Sequence, residues 1–196
     1  MAAINRVQYL HSRMRKYYWV VEGDIRACFD EIPHNKLIQA IRKVVKDERL
    51  LSLIWAFLKA GYMEDGKLYA PNHGTPQGGI VSPLLANIYL HYAFDLWVEW
   101  WRMHHATGDV IVVRYADDFV MGFQHREEAE RFIRELRERM GKFGLTLHPE
   151  KTRLIEFGRF AAEHRKRRGP GRPESFNFLG FTHSCGQTRK GWFTVR

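Results

Sequence analysis

The stretch Tyr115-Ala116-Asp117-Asp118 constrains this chain more than any other, because of what flanks it. Val110-Ile111-Val112-Val113 precedes it and Phe119-Val120-Met121-Gly122-Phe123 follows it. Short runs of β-branched and aromatic residues read as strands, and a tight link between two of them reads as a hairpin. The tip then carries two neighbouring carboxylates, whose charges repel unless water or a cation compensates them. Taken alone, the pair is better explained by an ordinary acidic turn, since Asp is common in turns. A further carboxylate on another strand changes that balance. Residues 17–23, Tyr-Tyr-Trp-Val-Val-Glu-Gly, predict such a strand, ending in Asp24. Asp24 and Phe29 are an odd number of residues apart, so strict alternation puts them on opposite faces. Both line one site only if the strand ends and the backbone turns between them.

With 45% hydrophobic and 14% aromatic residues in 196, the chain has material for one sizeable core and is not disordered by composition. Lys and Arg number 31 against 22 Asp and Glu, a net charge of +9 that suits a polyanionic partner such as nucleic acid. Cys28 and Cys185 make no disulfide framework, which points to a reducing compartment. The ten histidines show no zinc-ligand spacing with them. No signal peptide and no membrane-spanning apolar run is evident, so cytoplasm is the expected setting, with no membrane partner.

Apolar periodicity predicts core helices over 35–46 and 48–60, and Asp65-Gly66 predicts a hairpin turn within 62–70. Residues 74–83 read as a Gly/Pro loop that lets backbone approach a ligand closely. Ser82-Pro83 then opens a helix running to about His104. Residues 125–140 form an amphipathic helix with Glu127–Arg131, Glu130–Arg134 and Glu135–Arg139 outside. A strand is expected over Arg153–Phe157. Residues 158–174 read as a flexible basic loop, with Arg165, Lys166, Arg167 and Arg168 as phosphate contacts. Two more strands follow, Phe176–Thr182 and Trp192–Val195. The pattern as a whole is α+β, an antiparallel sheet backed by helices.

Asp24 and Asp117 each lie at the end of a β run, and neighbouring strands could bring them side by side. Carboxylates gathered at a sheet edge offer hard oxygen ligands to Mg²⁺, which completes its shell with water and substrate phosphates. Two such ions about 4 Å apart clamp the attacking and leaving oxygens of an in-line phosphoryl transfer.

These residues resemble the motifs of reverse transcriptases of the bacterial group II intron type. Tyr115 to Asp118 resembles the family's signature hairpin, and Asp24 to Phe29 its first catalytic motif. Gly74 to Leu90 (GTPQGGIVSPLLANIYL), Leu147 to Thr152 and Phe178-Leu179-Gly180-Phe181 are similar to three further blocks, in order and spacing. The likeness runs from about residue 17 to the end. It implies a palm domain with Asp24, Asp117 and Asp118 as catalytic carboxylates, and Asp24, Ile25, Asp117 and Asp118 as the set for two Mg²⁺ ions, with Mn²⁺ as a substitute. It implies that Phe29 is a steric gate against the 2′-hydroxyl. Pro76, Gln77, Gly78, Tyr115 and Ala116 border the nascent base pair, Lys151 gives a proton to pyrophosphate, and Leu179 and Gly180 grip the primer. The implied partners are an RNA template, a DNA primer and dNTPs, and an intron RNA in a maturase role.

Residues 1–16 are too short for the fingers such an enzyme places upstream, and a thumb is expected after residue 196. The expectation is therefore a palm-centred fragment over 17–196, led in by a remnant at 1–16, with weak or no polymerase activity by itself. Two other roles fit the same residues. One is an RNA-binding module that assists intron splicing; the other is a related bacterial enzyme in defence or spacer acquisition.

Overall fold

The run of aromatic and β-branched residues near the start forms a strand longer than expected, β1 (Trp19–Arg26), which continues through Asp24. The computed structural model describes residues 16–60, 62–64, 67–69, 73–74, 81–169 and 171–196. The other strands are β2 (Tyr62–Glu64), β3 (Lys67–Tyr69), β4 (Val110–Tyr115), β5 (Asp118–Phe123), β6 (Thr146–Leu147), β7 (Arg153–Glu156), β8 (Phe176–Phe178), β9 (Phe181–His183), β10 (Cys185–Gln187) and β11 (Phe193–Val195). The helices are α1 (Cys28–Glu31), α2 (His34–Arg42), α3 (Glu48–Lys59), α4 (Ser82–Leu90), α5 (Leu96–His105), α6 (Arg126–Lys142) and α7 (Ala161–Arg168). The chain divides into two units, Met1–Asp24 with Arg102–Leu136 and His148–Arg196, and Ile25–Trp101 with Arg137–Leu147.

In the first unit β1 is flanked on one side by β5 and then β4, and on the other by β7, all antiparallel. The registers set the faces. Val20, Glu22 and Asp24 share one side of β1 with Gly122, Val120 and Asp118 opposite them on β5. Along that side Val20, Val113, Val120 and Ile155 are fully buried beneath Phe157, Phe176 and Phe178. Burying each such side chain is worth about 1.5–3 kcal/mol. The other side carries Val21, Phe119, Met121 and Phe123, also buried. Phe132 of α6 packs on Phe123 with ring centroids 5.5 Å apart.

Two expectations for this unit are corrected. Residues 158–174 are not a plain loop, because α7 occupies Ala161–Arg168. The helix is held by Arg167–Glu163 at 2.6 Å, one turn apart, and by Arg168 reaching Glu156 of β7 at 2.8 Å. The single strand expected over Phe176–Thr182 is instead the hairpin β8–β9, with Leu179 and Gly180 at φ 54° and 78°. A two-residue turn with both central residues at positive φ matches the twist of a hairpin. On α6 the ion pairs include Arg126–Glu130 and Arg131–Glu135, the reverse of the anticipated order.

In the second unit Asp47 caps α3 by accepting from the backbone of Arg49 and Leu50. Between α4 and α5 lies a π-helical turn, His91–Asp95, where an unbroken α-helix is expected. Arg139 donates to the Tyr92 and Ala93 carbonyls at 2.9 and 3.1 Å, satisfying backbone oxygens that the wider turn leaves open. Ile25 and Arg26 pair with Leu147 and Thr146 of β6, and β2 pairs with β3 in the expected hairpin.

Candidate active site

The site grows out of the β1–β5 register, which sets Asp24 directly opposite Asp118. Asp117 is the next residue back, in the turn between β4 and β5. Ala116 takes φ 54° there, and its carbonyl accepts from the Arg114 guanidinium at 2.7 Å. A left-handed non-glycine residue is strained, and such strain gathers at functional sites. Tyr115 pairs across from Asp118 and is exposed.

Gly23 makes the pairing tight. A Cβ at this position would lie 2.1 Å from Cζ of Phe119, its partner across the ladder. The Phe119 ring therefore lies over the Gly23 backbone, immediately beside both carboxylate-bearing positions.

Lys151 supplies the cation. Its Nζ donates to Asp24 Oδ2 at 2.6 Å. The short turn after His148 delivers it: the His148 N–H donates to the Asp24 carbonyl at 2.8 Å, and the Thr152 N–H to the His148 carbonyl at 2.9 Å. The hydrogen bond to Asp24 and the carboxylate charges around it hold the Lys151 pKa above the ordinary lysine value. Asp117 and Asp118 are pushed above the usual carboxylate range. Burial is the main cause for both, and the charge of Asp24 adds to it.

Glu22 was not among the anticipated residues, although it stands two positions before Asp24 on the same side of β1. It accepts from the Arg153 guanidinium at 2.5 and 3.1 Å and from the Asn177 backbone at 2.8 Å. It thus ties β7 and the β8–β9 hairpin to the strand carrying Asp24. The period of two along a strand is the signal that could have found it.

A cleft of about 520 Å³ opens here, lined by Glu22, Asp24, Asp118, Lys151, Leu179 and Gly180 among others. A Cβ on Gly180 would meet nothing within 4 Å, so positive φ rather than crowding is what asks for glycine there. Arg165, Lys166, Arg167 and Arg168 do not line this cleft. Ile25 and Phe29 belong to the second unit. Ile25 is buried at its pairing with Leu147, and Phe29 is half-buried on α1, just after Ala27 turns the backbone at φ 42°. Pro76, Gln77 and Gly78 lie outside the described residues.

Among the described residues no three His, Cys, Asp or Glu side chains form a ready cage for a metal ion. The donor set still fits a hard divalent cation. Mg²⁺ is commonly held by one or two carboxylates with water and substrate phosphates, not by an all-protein cage. Burial first and the neighbouring carboxylate charges second hold Asp117 and Asp118 above the usual range, an environment in which a divalent cation would favour their ionised forms.

Residues 2–183 match the sequence profile of a family described as reverse transcriptase (RNA-dependent DNA polymerase). The group II intron-encoded protein LtrA of Lactococcus lactis subsp. cremoris is 58% identical over 73 residues, 37% of this chain and 12% of that protein. The protein YkfC of Escherichia coli is 33% identical over 165 residues, 69% of this chain and 43% of that protein. The chain thus spans less than half the length of either relative. The solved structure of apo telomerase from Candida tropicalis superposes with a TM-score of 0.66 at 14% identity, covering 93% of this chain and 34% of the other. Together these matches identify the fold as the reverse transcriptase palm, the α+β arrangement anticipated above. Among the described residues no helix is long and apolar enough to cross a membrane.

Proposed function

Because this chain belongs to the reverse transcriptase (RNA-dependent DNA polymerase) family, we propose that it carries the palm of a group II intron-type enzyme. Such an enzyme extends a DNA primer on an RNA template with dNTPs. The observation that carries the reading is Asp24 set opposite Asp118, beside Asp117, with Lys151 bonded to Asp24. Asp24, Asp117 and Asp118, with Ile25, would hold two divalent ions, Mg²⁺ or Mn²⁺, which supply charge neutralisation at the attacking and leaving oxygens. Lys151 is exposed at the mouth and held protonated, so it can hand a proton to the departing pyrophosphate. The Leu179-Gly180 turn, lining the cleft, supports the primer strand. Phe29 excludes a 2′-hydroxyl, while Pro76, Gln77, Gly78, Tyr115 and Ala116 border the new base pair.

The test is primer extension on an RNA template with Mg²⁺, using the longest reading frame that contains this chain. Asp117→Asn and Asp24→Asn should each abolish extension while leaving template binding within a few-fold; extension at the unmutated rate would overturn the assignment. A second reading, an RNA-binding module that assists intron splicing, is favoured by the intron-encoded relative and by the basic charge. It predicts that splicing assistance survives Asp117→Asn. A bacterial cytoplasmic setting is part of the proposal; the relatives include proteins of Lactococcus lactis and Escherichia coli and also a mitochondrial protein of Marchantia polymorpha.

A further inference from the structure

A second and larger groove, about 1350 Å³, lies between the start of α7 and the β10–β11 hairpin. It shares no lining residue with the carboxylate cleft. It sits by the opposite end of β1: a Cβ on Gly158 would touch the Tyr17 carbonyl at 2.7 Å, and Arg159 donates to the Tyr18 hydroxyl at 3.2 Å. Six residues of extended strand separate Tyr18 from Asp24, about 20 Å.

The lining is strongly one-signed. Arg159, Lys166, Arg189, Lys190 and Arg196 contribute positive charge, and the one carboxylate, Glu163, is paired with Arg167 at 2.6 Å. Two aromatic rings stand among these cations: Trp192 is 73% exposed, while Phe160, 41% exposed, is stacked against His164 and packed beside Tyr18. Trp192 is held in place. Its N–H donates to the Thr188 hydroxyl at 3.1 Å, its carbonyl accepts from the Thr188 N–H at 2.8 Å, and Gly191 closes the turn at φ 79°. Arg189 and Lys190 lie within that same turn and line the groove with Trp192. Arg159 lies over the Phe160 ring at 4.6 Å, making a second cation and ring unit across the groove. Cys185 also lines the groove, but burial pushes its thiol pKa up, so the surface offers no ready nucleophile.

We propose that this groove binds single-stranded nucleic acid, independently of the carboxylate cleft: a base stacks on Trp192, and phosphates sit on Arg159, Lys166, Arg189 and Lys190. Rings interleaved with cations are what a flexible strand needs, since every base has a face to stack and every linkage a charge to neutralise. A duplex hides its base faces and can use only the cations. An acidic peptide offers charge alone.

The test is fluorescence anisotropy of the 196-residue chain with a labelled 12-nucleotide oligo(U) strand, repeated with an oligo(U)–oligo(A) duplex and with polyglutamate as competitor. The expected results are preference for the single strand and weak competition by polyglutamate. Trp192→Leu should weaken single-strand binding on the order of 10-fold, while Trp192→Phe retains most of it. Arg189→Gln with Lys190→Gln should reduce the slope of log K against log salt by about 1.4, roughly 0.7 per phosphate contact. These two residues sit on an exposed turn, so this pair reads the groove even if the Trp192 variants fail to fold. Equal affinity for the duplex, an unaffected Trp192→Leu, or an unchanged salt slope would each overturn the proposal.

Discussion

Gly23→Ala is the sharpest probe of how the sheet holds its carboxylates. The added Cβ would lie 2.1, 2.5 and 2.7 Å from three atoms of the Phe119 ring. Comfortable carbon contacts begin near 3.5 Å, so the ring must retreat by about 1.4 Å. It has nowhere free to go, being 1% exposed within the packed side of the sheet. Overpacking of this kind costs about 1–3 kcal/mol, or a fall in Tm of roughly 2–4 °C per kcal/mol for a chain of this size. Because Phe119 adjoins Asp118 and faces Gly23, the displacement reaches the carboxylate register, where about 1 Å of misplacement can cost on the order of 10²-fold in rate. Urea unfolding read by far-ultraviolet circular dichroism measures the first effect, and primer extension by the longer polypeptide the second. Phe119→Leu in the same chain should recover much of the stability lost to Gly23→Ala, a coupling that distant sites would not show. A Gly23→Ala variant within about 0.5 kcal/mol of the parent, with no coupling to Phe119, would refute the packing account.

Asp117→Asn should stabilise the metal-free chain. The folded pKa of Asp117 is raised, so stability is greatest below the ordinary carboxylate pKa and falls as pH rises through that value to the folded one. Urea midpoints should therefore decline over that window in the parent and decline less in the variant; parallel curves would contradict this. Lys151→Met should slow single-turnover incorporation by about 10²-fold or more, and Lys151→Arg should not restore it, since arginine keeps its proton; full rescue by arginine would assign Lys151 to charge alone. His34→Leu removes the buried donor to the Gly74 carbonyl and should cost about 1–3 kcal/mol, whereas His34→Gln can keep an amide donor and should cost less; equal losses would dismiss the hydrogen bond. Phe29→Val in the longer polypeptide should raise the ratio of ribo- to deoxynucleotide incorporation, and an unchanged ratio would remove Phe29 from the gate.

Much of this was legible because strands and turns advertise themselves locally. Val110 to Phe123 reads as a hairpin from two β-branched and aromatic runs joined by a tight link, and the helices read from their apolar spacing. The misreadings have tertiary causes. The basic run after Gly158 looks like a solvated loop until Glu156, eight residues before His164 and twelve before Arg168, anchors the last turn of α7. Leu179 gives no sign that it will take positive φ, because only its packing beside the core cluster and the return of β9 demand that turn. The π-helical turn depends on Arg139, more than forty residues away in the chain, reaching the Tyr92 and Ala93 carbonyls. Glu22 looks like any polar strand residue until Arg153 and Asn177 are known to face it.

The side of β1 that holds the core is also the side that holds the site, and this couples the two. Val20 is wholly buried, Glu22 is half-buried and bonded to Arg153, and Asp24 is buried but lines the cleft: three positions in line, passing from core to site. Across the ladder the sequence Gly122, Val120, Asp118 makes the same passage. The apolar end fixes the separation of the strands, and that separation sets Asp24 against Asp118. The raised pKa of Asp118, set first by burial and then by the charges of Asp117 and Asp24, therefore depends on contacts among Val20, Val120 and Ile155 at the far end. Loosening that packing would let the carboxylates relax apart. Ile155→Ala, at a position wholly buried in the core, should thus cost stability of about 2–5 kcal/mol and also lower the pKa of Asp118 towards the ordinary carboxylate value. Side-chain carboxyl shifts followed by NMR titration read this directly, and an Asp118 titration unchanged in Ile155→Ala would show that the turn alone, and not the core, holds the carboxylates together.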